Sequence, residues 1–270
     1  MRRRIRGPAR GTAGAYPVDQ FRLKVALGVT TTAVVVTLFA LGILAIWPRA
    51  TERSFPKAVI VDQLALTDPN PAFVDAAAAQ LKGAGYVVDY IPPEAVTVDL
   101  YRQLPKEDYQ LIILRSHSAQ NQNVGDVQSP QYVRAISLFT NELYSTRSHV
   151  DEQRQGRLWK GSLTGAPVPF FTIRDEFVRE AMEGDFDGAT IIMMGCGVSE
   201  DNMASAFIDK GAKQFVSWDA AVSASHTDAA ATELLDALLT RHLDVREAVA
   251  QTMAKVGPDP AFGARLLSYE

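Results

Sequence analysis

From residue 57 onward, short apolar runs rich in β-branched residues alternate with segments whose apolar positions recur at helical spacing. The runs 57–64 (KAVIVDQL), 86–91 (YVVDYI), 109–116 (YQLIILRS), 189–196 (ATIIMMGC) and 213–218 (KQFVSW) are predicted strands. Segment 70–85 reads as a helix: Asn70 caps it, Pro71 starts it, and Gly83 and Gly85 stop it. Further helices are predicted at 97–104, at 199–212 with Ser199 as cap, at 228–242 and at 244–257. Apolar strands alternating with helices predict a doubly wound α/β fold, a mostly parallel sheet with helices on both faces. The expected strand order is 2-1-3-4-5.

Segment 118–187 breaks this rhythm, being far longer than a crossover needs. Within it, 135–142 reads as a strand or short helix and 173–182 as a helix. The polar, Gly- and Pro-containing stretch 145–169 reads as an exposed excursion or a loop over a site. Its Arg147, Arg154, Arg157 and Lys160 are candidate points for activating cleavage. The main domain is therefore expected at 57–270, with an insertion at about 118–187.

Ahead of it the pattern changes kind. Residues 25–47 (VALGVTTTAVVVTLFALGILAIW) carry no charge and end in Trp47-Pro48. As a helix they would extend about 34 Å, against a hydrocarbon core of about 30 Å. The run exceeds the apolar core of a cleaved signal peptide. Residues 1–24 hold seven cations (Arg2, Arg3, Arg4, Arg6, Arg10, Arg22, Lys24) against Asp19. The positive-inside rule then gives a cytoplasmic tail at 1–24, a single membrane-spanning helix at 25–47 in contact with the lipid bilayer, a linker at 48–56 and a main domain outside the cytoplasm.

Charge sharpens the division. The chain as a whole carries −4, so with +6 in its first 24 residues the remainder carries −10. A domain that acidic does not suit nucleic acid, whose affinity rests on Lys and Arg at phosphates. There is one cysteine, Cys196. Outside the cytosol cysteines usually pair, and an unpaired one is either inert or kept for its chemistry.

Ligands of open parallel sheets bind beyond the carboxyl ends of the strands. There stand Asp62 and Gln63 after the first strand, His117 after the third, Cys196 after the fourth, and Trp218 and Asp219 after the fifth, with His226 and Asp228 close by. A histidine and a cysteine ending neighbouring strands can share the thiol proton and generate a nucleophile. Gly195 and Gly197 allow a sharp turn, and amides near Cys196 are candidate oxyanion donors. Asp219, His226 and Asp228 read as a capping and loop cluster, with Asp228 as a helix cap. The alternative makes Trp218, Asp219, His226 and Asp228 a substrate pocket whose carboxylates favour a basic side chain. No Walker motif and no glycine-rich turn after the first strand are present. His226 and Asp228 lack a metal-pair spacing, and GDFDG at 184–188 reads as a turn, so neither cofactor nor metal is expected.

The order strand–His117, strand–Gly195-Cys196, helix, then "DKGAKQFVSWDAAVSASHTDAAATELLDALL" resembles the caspase-like fold of clan CD cysteine peptidases: caspases, clostripain, gingipains, separase and the CHAT proteases. The resemblance spans roughly 57–257. It implies His117 as catalytic histidine, Cys196 as nucleophile, and a peptide or protein substrate. The family follows its histidine with glycine, whose amide helps form the oxyanion hole; Ser118 stands there instead and offers an amide of its own. Class I glutamine amidotransferases share the Gly-Cys-Gly elbow, but their histidine follows the cysteine and is followed two residues on by glutamate, which neither His226 nor His242 is. The expected function is a membrane-anchored cysteine peptidase; the alternative is a catalytically silent module of the same fold that binds a peptide or partner.

Overall fold

A computed structural model of the chain describes residues 55–120, 136–197 and 202–270. The basic tail 1–24, the apolar run 25–47, linker residues 48–54 and the expected cap Ser199 lie outside them. Among the described residues no helix is long and apolar enough to cross a membrane. Along the chain run β1 (Lys57–Asp62), α1 (Pro71–Gly83), β2 (Val87–Ile91), α2 (Val98–Gln103), β3 (Tyr109–Arg115), β4 (Ser118–Gln120), β5 (Ile136–Leu143), α3 (Val150–Arg154), β6 (Leu158–Gly161), β7 (Phe170–Ile173), α4 (Asp175–Glu180), β8 (Thr190–Met193), α5 (Asn202–Asp209), β9 (Gln214–Trp218), α6 (Ala224–Leu235), α7 (Val245–Val256) and β10 (Leu266–Tyr269).

The six strands β2-β1-β3-β8-β9-β10 form the central sheet in that order. The first five are parallel, and β10 closes the edge antiparallel to β9. The strand order read from the sequence is therefore the one observed, with β10 added. Because side chains alternate across a strand, β1 and β3 feed two cores. Val59, Val61, Ile112 and Leu114 pack beneath α2, α4, α5 and the segment between β3 and β8. Ala58, Ile60, Leu111 and Ile113 pack beneath α1, α6 and α7. Helix α1 starts as its sequence dictates: Asn70 Oδ1 accepts from the amide of Phe73 at 3.1 Å, and Pro71 needs no partner for a missing N–H.

Segment 118–187 is more ordered than its composition suggests. It builds a second, antiparallel sheet, β4-β5-β7-β6. Stretch 145–169 is not one exposed excursion: it holds α3 and β6, and Leu158 is buried. Residues 136–143 are a strand, and the helix expected at 173–182 shrinks to α4 because Phe170–Ile173 pairs as β7 between β5 and β6. Gly161 is required where it stands, since a Cβ there would press on the Phe139 ring and the Thr172 methyl. The sheet is tied to the first one through Asn141 of β5. Asn141 N donates to Val96 O at 2.7 Å, its side-chain Nδ2 donates to the carbonyls of Gln63 and Pro93, and its Oδ1 accepts from Gln63 Nε2.

The helix expected at 228–242 begins at Ala224, with Ser223 in the cap position. Asp228 therefore lies inside α6 and is not its cap, because the helical turn already formed at Ser223, where His226 N and Thr227 N both donate to Ser223 O.

Candidate active site

β3 and β8 are hydrogen-bonded neighbours in which Leu114 faces Met193. His117 and Cys196 each lie three residues beyond that pair. Both are half-buried, and both line one cleft of about 140 Å³ with Leu64, Asp68, Ser116, Met194, Gly195, Val222, Ala224 and Thr227. Its walls are mainly apolar, and Asp68 is the charged side chain on its rim.

The histidine side is built on charge. Arg115, the last residue of β3, is fully buried. Its Nη1 donates to Asp62 Oδ1 at 2.8 Å, and its Nε and Nη2 form a fork on Asp228 at 2.8 and 2.9 Å. Asn70 Nδ2 donates to the same Asp228 at 2.8 Å, and Tyr90 Oη donates to Asp62 at 3.2 Å. Burial works against the guanidinium charge, but the hydrogen bonds to Asp228 and Asp62 outweigh it and raise the Arg115 pKa. Beside this cluster, Gln63 fixes the backbone: its Oε1 accepts from His117 N at 2.7 Å and its Nε2 donates to Asn141 Oδ1 at 2.7 Å.

The His117 ring shares a 2.7 Å hydrogen bond between Nε2 and Thr67 Oγ1, and Thr67 Oγ1 donates in turn to Leu64 O at 3.3 Å. We assign the ring proton to Nε2 on that chain, which leaves Nδ1 as the basic nitrogen. The imidazole pKa lies below its usual 6.5: burial lowers it, Asp68 raises it, and Arg115 lowers it again.

The cysteine side is built on close packing. A Cβ on Gly195 would press into the carbonyl oxygen of Ser116, and one on Gly197 would overlap the carbonyl of Trp218. Only glycine fits at either place. Ser118 Oγ donates to the Cys196 carbonyl, and Gly197 N donates to Ala220 O at 2.9 Å. Cys196 Sγ lies 3.9 Å from Val222 O, in reach of a weak S–H bond. In the β4–β5 ladder Ser118 faces Leu138, while His117 O accepts from Phe139 N at 3.0 Å. That register makes Ser118–Leu138 a non-hydrogen-bonded pair, so the Ser118 amide is turned away from β5.

The four residues read as a substrate pocket are placed elsewhere. Trp218 is buried, and its Nε1 donates to Thr227 Oγ1 at 2.9 Å. His226 packs against the Trp218 ring at 5.4 Å and bonds Gly257 O through Nε2 at 3.1 Å. Asp219 Oδ1 accepts from Arg265 N at 2.7 Å. Asp228 is the buried partner of Arg115. None of the four lines the cleft. Among the described residues there is no group of three side chains able to hold a metal ion.

Sequence reasoning passes over Arg115 and Thr67, and it names Gln63 by its place after the first strand without its contact to the His117 backbone. For Arg115 a signal existed: a cation ending the apolar run YQLIIL must either reach water or meet carboxylates, and Asp62 and Asp228 had been noted for other reasons. Thr67 carried no such signal, because it reaches His117 across fifty positions of sequence.

No family model and no curated protein matches the chain. Among solved structures it is similar to the crystal structure of the Arg specific cysteine proteinase gingipain R (RGPB), with 12% identity and a TM-score of 0.41, over 75% of this chain and 44% of that one. The chain thus spans less than half the length of that structure.

Proposed function

We propose that this protein is a cysteine peptidase of the caspase-like type, held at a membrane by residues 25–47 with its main domain outside the cytoplasm. One observation carries the catalytic reading: adjacent parallel strands β3 and β8 end in register, so that His117 and Cys196 follow them at equal distance and open onto one cleft. The uncharged run and its basic flank support the membrane reading.

In the proposed reaction, the basic nitrogen of His117 takes the Cys196 proton and the thiolate attacks a peptide carbonyl carbon. The carbonyl oxygen becomes an oxyanion as the C–S bond forms. The Ser118 amide, turned off the ladder, suits its stabilisation; the Gly197 amide is spent on Ala220 O and the His117 amide on Gln63. Collapse breaks the C–N bond, with the imidazolium protonating the leaving amine. Water, deprotonated by the same imidazole, then releases the acid and the thiol. Thr67 keeps the ring oriented throughout.

The test is cleavage of a broad peptide library by the domain. Cys196→Ala is expected to abolish cleavage and to leave the fold intact, since removing one half-exposed sulfur opens little cavity. Cleavage that persists in Cys196→Ala overturns the thiol mechanism. A parent protein that cleaves nothing but retains peptides would point to the silent binding module.

A further inference from the structure

The chain leaving β9 runs past the nucleophile turn and presents three carbonyls to it. Trp218 O packs against Gly197, Ala220 O accepts from Gly197 N, and Val222 O faces Cys196 Sγ. These are alternate residues of the chain that leaves β9, bends at Asp219 and Ala220, and enters α6 after Ser223. Trp218 is held in β9 by its pairing with β10, so the contacts of Ala220 O and Val222 O are the ones that depend on how the segment between β9 and α6 is held.

One end is fixed by β10. Asp219 N donates to Arg265 O at 3.0 Å, and Arg265 N donates to Asp219 Oδ1 at 2.7 Å. The other end, Ser223, runs into α6, where its carbonyl accepts from His226 N and Thr227 N, and it is held from outside the helix by Asp259, which lies in the turn after α7 and is 1% exposed. Its Oδ2 accepts from both Ser223 N and Ser223 Oγ, at 2.9 and 2.7 Å. Its Oδ1 accepts from Ala261 N and Phe262 N, at 2.9 and 2.8 Å. All four donors are uncharged. Burial alone would raise the Asp259 pKa, yet the bonds from Ser223, Phe262 and Ala261 hold it at about 2. The carboxylate is therefore a four-way junction between the 259–263 turn and the residue that follows Val222.

We infer that Asp259 is a positioning residue for Cys196, acting through the 219–223 segment without touching the cleft. Its catalytic meaning rests on Cys196 being the nucleophile proposed above; its structural content, that Asp259 holds the Gly197 and Val222 contacts, does not. Sub-ångström placement matters at such a site, because misplacing a reacting group by about 1 Å can cost on the order of a hundredfold in rate.

The test uses the parent domain, Asp259→Ala, Asp259→Asn and Ser223→Ala, with two readouts. Amide hydrogen exchange reports the Gly197 N–H against the β3 amides as internal reference. Iodoacetamide labelling of Cys196, followed across pH, reports the thiol. Asp259→Ala is expected to speed exchange at Gly197 by about tenfold or more with β3 unchanged, and to slow labelling at neutral pH by a similar factor. Asp259→Asn retains one acceptor oxygen and is expected to fall between parent and Asp259→Ala. Should Asp259→Ala fail to fold, Ser223→Ala, which removes only the 2.7 Å hydroxyl bond, decides the matter by the same readouts. Folded variants with parental Gly197 exchange overturn the inference. A parent Cys196 that does not label overturns the peptidase reading instead, while Gly197 exchange still decides the role of Asp259.

Discussion

The two walls of the cleft are held by different physics. Under His117 lies a buried cation shared by two carboxylates, with Asp62, Arg115 and Asp228 all nearly inaccessible. Around Cys196 the contacts are with backbone: Gly195 and Gly197 lie directly against backbone carbonyls, and Ser118 clasps the Cys196 carbonyl. One wall sets the electrostatics of a titrating ring, and the other sets the position of a sulfur atom. The difference teaches where each wall is fragile: the cysteine wall to a single added methyl group, the histidine wall to loss of a charge.

The largest effect belongs to the cysteine wall. In Gly197→Ala the new Cβ overlaps the Trp218 carbonyl, which belongs to β9 and cannot yield without unpairing the sheet edge. Little soluble folded protein is expected, corresponding to a loss beyond about 5 kcal/mol; a thermal melt at the parental midpoint would show that the turn is not backbone-packed. On the histidine wall, Arg115→Ala strands two buried carboxylates and is expected to cost about 3–5 kcal/mol in urea unfolding. Replacing Arg115, Asp62 and Asp228 together by apolar residues should recover much of that loss, since an empty charge network no longer needs pairing. If the triple variant is no better than Arg115→Ala, the cluster is not acting as one electrostatic unit. The smallest effect is Ser118→Ala, which removes one hydrogen bond to Cys196 O and is expected to cost about 1 kcal/mol, while slowing any turnover more than stability alone explains.

Legibility in the sequence divides along a similar line. β1, β3, β8 and β9 announce themselves as apolar runs, and α1 carries its start and stop signals in its own residues, so the central sheet and the placing of His117 and Cys196 at its carboxyl edge follow from local pattern. The segment between β3 and β8 hides its sheet because β4, β6 and β7 have 3, 4 and 4 residues, too few for alternation to show. β10 is hidden for the same reason; Leu266–Tyr269 becomes a strand by pairing with β9. Asp228 illustrates a different failure. Locally it looks like a helix cap, and nothing near it in sequence points to Arg115, its partner 113 residues away. Roles decided by long-range ion pairs and by backbone contact, such as those of Thr67 and Asp259, leave no local trace.

The central claim is that His117 and Cys196 work as one unit, and the pH dependence of Cys196 labelling by iodoacetamide tests it most directly, in the parent and in His117→Ala. The His117 pKa is depressed below 6.5, so the neutral imidazole persists as pH falls through 6.5 and is lost only at lower pH; by the same sign, its contribution to stability is complete above 6.5 and lost as pH drops through the folded-state pKa. The expected result is labelling that stays fast from neutral pH down past 6.5 in the parent, then falls, and that in His117→Ala is slow until the pH nears about 8.5, where an unassisted thiol ionises. Superimposable profiles in the two proteins, both rising only near that value, would contradict the claim.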